Sequence, residues 1–205
     1  MSIERASLLL RVLQTIGTLQ ALGEVVVAVP AGAQKFARTE AAVAGLQIPV
    51  KITEGGAERQ DSVRLALMLT SAEADLVVVH DAARPFATPA MFSTCTAAAA
   101  QTGGAVVAIP VADTLKRVER GTIVATVPRD GLWQAQTPQA FRRDLLMQAH
   151  ERAMRERITA TDDADLFERL GIAVQVVQGS ALNLKITMPD DLRVGEALAR
   201  FASPR

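Results

Sequence analysis

DLVVVHDAARPF, residues 75–86, decides how this chain folds. Leu76 to Val79 form a continuous apolar run, the signature of a strand covered on both faces. The run then breaks into a polar loop at His80–Pro85. Upstream, GEVVVAVP at 23–30 is a second run of this kind, stopped by Pro30. Residues 6–22 place Leu9, Leu13 and Ile16 at helical spacing and predict a helix ending near Gly23. A helix fits 33–44, Val50–Thr53 reads as a short strand, and GGAERQDSVRLALMLT enters a helix from Gly55 and Gly56. Downstream, Thr88 caps a helix that carries Pro89 in its first turn and stops at Gly103–Gly104, and AVVAIPV is a further strand.

Residues 112–136 behave differently. TLKRVERGTIVATV alternates about a turn at Glu119–Gly121, which predicts an exposed β-hairpin or arm. A helix is expected over 139–157 and another over 162–170, then strands IAVQVVQG and NLKIT, and a closing helix PDDLRVGEALARF. Strands alternating with helices imply a single α/β domain over 1–205, a three-layer sandwich with a mostly parallel sheet. Such folds normally open with a strand, and this chain opens with a helix.

The 22 basic residues balance the 22 acidic ones, which argues against a nucleic-acid or membrane-surface binder. A single cysteine, Cys95, precludes an intrachain disulfide framework and suits a reducing cytoplasm. No apolar stretch approaches the ~20 residues that span a bilayer, and the charged start is no signal peptide.

In open α/β sheets, ligands sit at the carboxyl ends of the strands. Those positions hold Gly55, Gly56, Arg59 and Ser62, then His80, Asp81 and Arg84, with Thr114, Lys116 and Arg129 on the arm and Thr137 beyond it. Thr161 begins a helix and Lys185 lies in the final strand. This set is rich in cations and hydroxyls and lacks a nucleophile with its base, which favours phosphate handling over acyl transfer. Bland readings stand beside it. The glycine pair is a turn in most chains, Asp81 and Arg84 make a plausible structural loop pair, and His80 reads as a hydrogen-bonding histidine rather than a base. Thr161 and Thr187 read as helix caps, the latter backed by Asp190. The histidines and cysteine show no transition-metal spacing, whereas Asp81 suits a hard cation shared with substrate phosphates.

Six segments together carry a resemblance: GGAERQDSV at 55–63, VVVHDAARPF at 77–86, IPVADTLKRV at 109–118, RDGLWQAQTPQAF at 129–141, TDDADLFERLG at 161–171 and NLKITMPDDL at 183–192. In this order they resemble the 2-C-methyl-D-erythritol 4-phosphate cytidylyltransferase family. The resemblance implies a Rossmann-like nucleotidyltransferase fold with a projecting β-arm at 112–136 and a cytoplasmic homodimer joined through that arm. It implies CTP and methylerythritol phosphate as substrates, Mg²⁺ as cofactor and a place in non-mevalonate isoprenoid synthesis. Gly56 and Ser62 correspond to nucleotide contacts, and Asp81 with Ala82 to the position near ribose, acceptor and Mg²⁺. Arg84, Thr137 and Thr161 correspond to acceptor-site residues, and Thr114 and Arg129 to arm residues serving the neighbouring subunit. Lys185 corresponds to a lysine on phosphate, so catalytic roles are implied for Lys185, Arg129 and Asp81. Ala57 departs from relatives with an acidic residue there, which leaves a backbone contact. Asp81, Arg84, Arg129 and Lys185 are expected to converge at one rim of the sheet.

The family's opening strand and glycine-rich triphosphate loop have no counterpart here. The expectation is that the first strand is absent from the sheet, that the true start lies upstream, and that the chain as given turns over weakly. A ribitol-phosphate or other sugar-phosphate cytidylyltransferase is the nearest alternative, and a non-catalytic nucleotide-binding remnant is another. A dinucleotide oxidoreductase is disfavoured, because no G-x-G-x-x-G follows a strand.

Overall fold

The computed structural model describes residues 1–4 and 6–202. A short antiparallel pair, β1 (Ser2–Ile3) and β2 (Ala6–Ser7), precedes α1 (Leu8–Ile16). Next come β3 (Val25–Val29), α2 (Gln34–Ala44), β4 (Val50–Glu54) and α3 (Arg59–Leu67). β5 (Leu76–Val79), α4 (Pro89–Thr102) and β6 (Gly104–Pro110) lead to a hairpin of β7 (Leu115–Glu119) and β8 (Thr122–Val127). β9 (Trp133–Arg142), α5 (Arg143–Glu156), α6 (Asp163–Arg169), β10 (Gln175–Gln178) and α7 (Pro189–Ala202) follow.

One sheet has the order β10-β6-β9-β5. β10 pairs parallel to β6, while β9 runs antiparallel to both β6 and β5, so β9 alone opposes the common direction. β3 and β4 form a separate parallel pair. No described strand joins that pair to the free edge of β5. The α/β sandwich itself is visible in how β5 divides its side chains. Val77 and Val79 pack with Phe141, Leu146 and Phe167 under α5 and α6, whereas Leu76 and Val78 pack with Cys95, Ala99 and Val107 under α4. Successive strand residues face opposite sides of a sheet. A run apolar at every position is therefore buried by helices on both, and three layers result.

Several local expectations meet their physical cause. Thr88 accepts a hydrogen bond from the Met91 amide and Pro89 opens α4, as a capped start requires. The hairpin turns at Arg120 and Gly121, with φ of 49° and 80°, the two left-handed positions that match strand twist. α1 begins at Leu8 rather than at residue 6, because the Ser7 hydroxyl accepts from the Leu10 amide. It ends at Ile16, well before Gly23, where the Thr18 hydroxyl donates to the Thr15 carbonyl.

Other expectations are corrected. The helix expected from residue 139 begins only at Arg143; residues 139–142 belong to β9 and pair with β5 on one side. The arm's hairpin ends at Val127, and Trp133 to Ala135 pair with Pro110 to Ala108 of β6. NLKIT forms no strand; its backbone meets the 81–84 loop through the Ile186 amide and the Ala83 carbonyl at 2.8 Å, too little for a ladder. Thr161 does not cap α6, since Asp162 does, and the carboxylate that Thr187 engages is Asp191, not Asp190.

Phe141 is fully buried, with its ring centroid 4.6 Å from that of Phe167. Truncating it removes a ring that both β9 neighbours and α6 enclose. Phe141→Ala is expected to lower the unfolding free energy in urea titrations by about 3–5 kcal/mol. Phe201→Ala, at an 88% exposed site, is expected to change it by less than about 0.5 kcal/mol.

Candidate active site

The site grows from the point where β5 stops. The Asp81 amide donates to the Thr137 hydroxyl at 3.0 Å, and that hydroxyl donates to His80 Nδ1 at 3.0 Å. His80 Nε2 in turn donates to the Arg84 carbonyl at 3.2 Å. Burial pushes the His80 pKa from 6.5 down to about 4, so the ring is neutral and carries its proton on Nε2. This chain of bonds ties the 80–84 loop to β9 and fixes where Asp81 points. The structural reading of His80 holds.

Arg84 crosses to the segment after β10. Its Nη1 donates to the Asn183 carbonyl at 2.7 Å and its Nη2 to the Ala135 carbonyl at 3.4 Å. Burial lowers the Arg84 pKa, and Asp81 only partly opposes that. Asn183 is fully buried and donates to the Gln136 side chain and the Thr137 carbonyl. Anchored in this way, the loop delivers Lys185, whose Nζ lies 2.9 Å from Asp81 Oδ2.

Arg59, in the first turn of α3, reaches Asp81 Oδ1 with Nε at 3.2 Å and Asp163 Oδ2 with Nη1 at 2.8 Å. Burial works to raise the Asp81 pKa, but the Lys185 hydrogen bond and the Arg59 charge outweigh it, and the carboxyl lies below its usual range. Burial likewise opposes the Arg59 charge, yet Asp163 and Asp81 together hold its pKa above the ordinary value. Asp81 is thus a carboxylate clamped between two cations.

A cleft of 260 Å³ opens beside this clamp, lined by Arg59, Asp81, Arg84, Thr137, Thr161 and Lys185 among others. Of the expected residues, Asp81, Arg84, Thr137, Thr161 and Lys185 therefore come together from separated segments of the chain. Ala82 is exposed next to Asp81. Gly56 and Ser62 face each other after β4, with the Gly56 amide donating to Ser62 Oγ at 3.0 Å. A Cβ on Gly56 would collide with Asp61, so the close turn requires glycine there.

Arg129 does not join the convergence. It is exposed in the loop between β8 and β9, with Nη1 donating to the Ala112 carbonyl, and it is not among the residues lining the cleft. Thr114 is exposed at the base of the hairpin, also outside the cleft. Arg59 is more central than its place among the loop candidates suggested, and three residues were missed altogether: Asp163, His150 hydrogen-bonded to it, and Gln139, which lines the cleft and donates to Asp162 Oδ2 at 2.9 Å. The sequence signal for Arg59 and Asp163 lay within GGAERQDSV and TDDADLFERLG, but nothing local pairs residues 104 positions apart.

A cation-rimmed cleft at the carboxyl end of a strand in a three-layer α/β fold suits phosphate-bearing ligands, as in the nucleotidyltransferases. The model of the 2-C-methyl-D-erythritol 4-phosphate cytidylyltransferase family matches residues 1–200. A relative of that description from Deinococcus radiodurans is 50% identical over 175 residues, covering 85% of this chain and 71% of its own. One from Pelotomaculum thermopropionicum is 42% identical over 196 residues, covering 95% and 82%. The crystal structure of the enzyme of that name from Thermus thermophilus superposes with a TM-score of 0.84 at 38% identity, over 97% of this chain and 91% of that one. The chain belongs to the 2-C-methyl-D-erythritol 4-phosphate cytidylyltransferase family.

A buried neutral histidine has a measurable consequence. The folded pKa of His80 lies below its ordinary 6.5, so the unfolded chain binds the proton first as pH falls. The contribution of His80 to stability is present above about pH 6.5 and is lost as pH falls toward and through about 4. Histidine NMR titration is expected to show the His80 ring signals moving with a midpoint near 4, alongside a falling unfolding free energy across the same window.

Proposed function

We propose that this chain transfers the cytidylyl group of CTP to 2-C-methyl-D-erythritol 4-phosphate, in non-mevalonate isoprenoid synthesis. Lys185 and Arg59 meeting on Asp81, at the rim of a cleft in a chain of this family, is the observation that carries the reading. A phosphate oxygen of the acceptor attacks the α-phosphorus of CTP, the bond from that phosphorus to the bridging oxygen breaks, and pyrophosphate leaves. The product is 4-diphosphocytidyl-2-C-methyl-D-erythritol. The attacking oxygen is already anionic, so no strong base is needed, and the work is alignment and neutralisation of charge.

Each side chain then has a task. Lys185 and Arg59 exchange Asp81 for phosphate oxygens as substrate enters, with Lys185 on the reacting phosphates. Arg84, Thr137 and Thr161 orient the acceptor. Gly56, Ser62 and Ala82 face the nucleotide. Asp81 fits Mg²⁺, because it is held as a carboxylate beside a phosphate cleft and Mg²⁺ takes one or two carboxylates plus substrate phosphates. Bound there, Mg²⁺ would supply charge neutralisation at the phosphates.

The protein acts as a cytoplasmic homodimer. Val118, Ile123 and Val124 stand 54%, 60% and 50% exposed on the β7–β8 hairpin, an apolar surface that calls for a covering partner. Thr114 and Arg129, outside their own chain's cleft, then serve the cleft of the partner. No helix among the described residues is long and apolar enough to cross a membrane.

Pyrophosphate release with CTP is expected to be faster with methylerythritol phosphate than with ribitol 5-phosphate as acceptor; the reverse order would transfer the assignment to sugar-phosphate chemistry, and CTP binding without release would make the chain a nucleotide-binding remnant. Lys185→Ala is expected to lower kcat/KM by about a hundredfold, the scale of losing one charge-stabilising group. Ile123→Glu is expected to convert a dimeric sedimentation profile into a monomeric one while leaving the circular dichroism spectrum unchanged.

A further inference from the structure

Behind the cleft lies a buried pair that phosphate binding leaves unused. Asp163 is 1% exposed and His150, from α5, is 2% exposed. His150 Nε2 donates to Asp163 Oδ1 at 3.0 Å, and Asp163 Oδ2 accepts from Arg59 Nη1 at 2.8 Å. His150 Nδ1 has no hydrogen-bond partner among the described residues. The imidazole is therefore committed to one neighbour, the Asp163 carboxylate.

We propose that His150 and Asp163 form a positioning device that fixes the Arg59 guanidinium at the cleft wall, so that its free N–H groups face the phosphates of the incoming nucleotide. This rests on the cytidylyl-transfer reading above. An arginine side chain has many rotamers to lose on being held in one place. Two carboxylates, Asp81 on Nε and Asp163 on Nη1, define the plane of the guanidinium, while Nη2 makes no hydrogen bond among the described residues. Asp81 is on the solvent side and exchanges partners when substrate or Mg²⁺ arrives. Asp163 lies on the dry side, buried at the first turn of α6, and holds Arg59 through that exchange. His150 keeps the Asp163 carboxylate from rotating away. Without this back support, Arg59 would follow Asp81 or turn to solvent when the cleft fills.

The test is a double-mutant cycle on the full chain. Asp163→Asn is expected to raise KM for CTP about tenfold with a smaller change in kcat. In the Arg59→Ala background the same substitution is expected to change kcat/KM by less than about twofold, because the residue it positions is gone. Effects that multiply across the two backgrounds would overturn the proposal. His150→Leu, which keeps the carboxylate and fills the space, is expected to raise KM for CTP about threefold and covers the case in which Asp163→Asn does not fold. An unchanged KM in His150→Leu together with an unchanged Arg59 would count against the device. A crystal structure of either variant separates the two failures. If the parent chain transfers no cytidylyl group, the functional reading falls, but displacement of Arg59 from Asp81 in the variant still supports the positioning role. Arg59 found unmoved would refute it whatever the parent's activity.

Discussion

The interaction on which the site depends is the grip of Lys185 and Arg59 on Asp81. Three cations, Arg59, Arg84 and Lys185, border one cleft, and like charges brought together in a partly desolvated place repel. At ~4 Å and an effective dielectric near 20, each unit-charge pair is worth roughly 4 kcal/mol before desolvation. The Asp81 side chain is only 16% exposed, whereas Lys185 remains 42% exposed. Solvent therefore weakens the lysine arm of the clamp more than the carboxylate itself. Asp81 thus offsets the repulsion among all three, and Asp163 shares that task at Arg59. The clamp prepares the cations for an anion without leaving them bare.

Much of this was legible in the residues. Leu76–Val79 read as doubly covered because both faces are apolar, and the structure divides them between two cores in strict alternation. Thr88, Pro89 and the Arg120–Gly121 turn are local rules, satisfied by neighbours a few positions away. β9 was read partly as helix because PQAFRRDLLMQAHERAM continues the apolar spacing of α5 backwards without a break. What makes 139–142 a strand is pairing with Leu76–Val79, a contact no local pattern announces. NLKIT misled in the opposite way. It alternates like a strand, but its odd positions serve Arg84, Gln136 and Asp81 individually, not a ladder.

The site divides along the same line. Asp81 and Arg84 were legible as charges at the end of a buried strand, where open α/β sheets place their ligands. Arg59 carried a weaker signal, since an arginine in a first helical turn is usually solvated. Asp163 lay inside a legible segment that did not name its partner, and His150 carried no signal, because their meaning lies in what they touch across the fold. The error over Arg129 has a similar origin. A sequence motif orders residues along the chain, while a hairpin that leaves the domain separates them in space and carries the cation away from its own cleft.

Arg59 also has a consequence for how the two pieces of sheet stay in register. β3 and β4 share no ladder with the four-stranded sheet, so main-chain hydrogen bonding between strands does not hold them together. The connections that do exist run largely through α3 and the turn after it. Gln60 donates to the Ile158 carbonyl and accepts from the Ala160 amide, and Arg143 donates to Thr70. Arg59 binds Asp81 and Asp163 across the same gap. Every one of these ties is made by a side chain, and side-chain bonds can be exchanged singly where a ladder must yield as a unit. The Gly56–Ser62 turn leads into α3 on one side of the gap, and Asp81 and Lys185 lie on the other. Leu67 of α3 is buried among Phe141, Leu146 and Phe167, so apolar packing closes the same gap, and Asp163 ties Arg59 to α6 independently of the bond that Arg59 makes to Asp81.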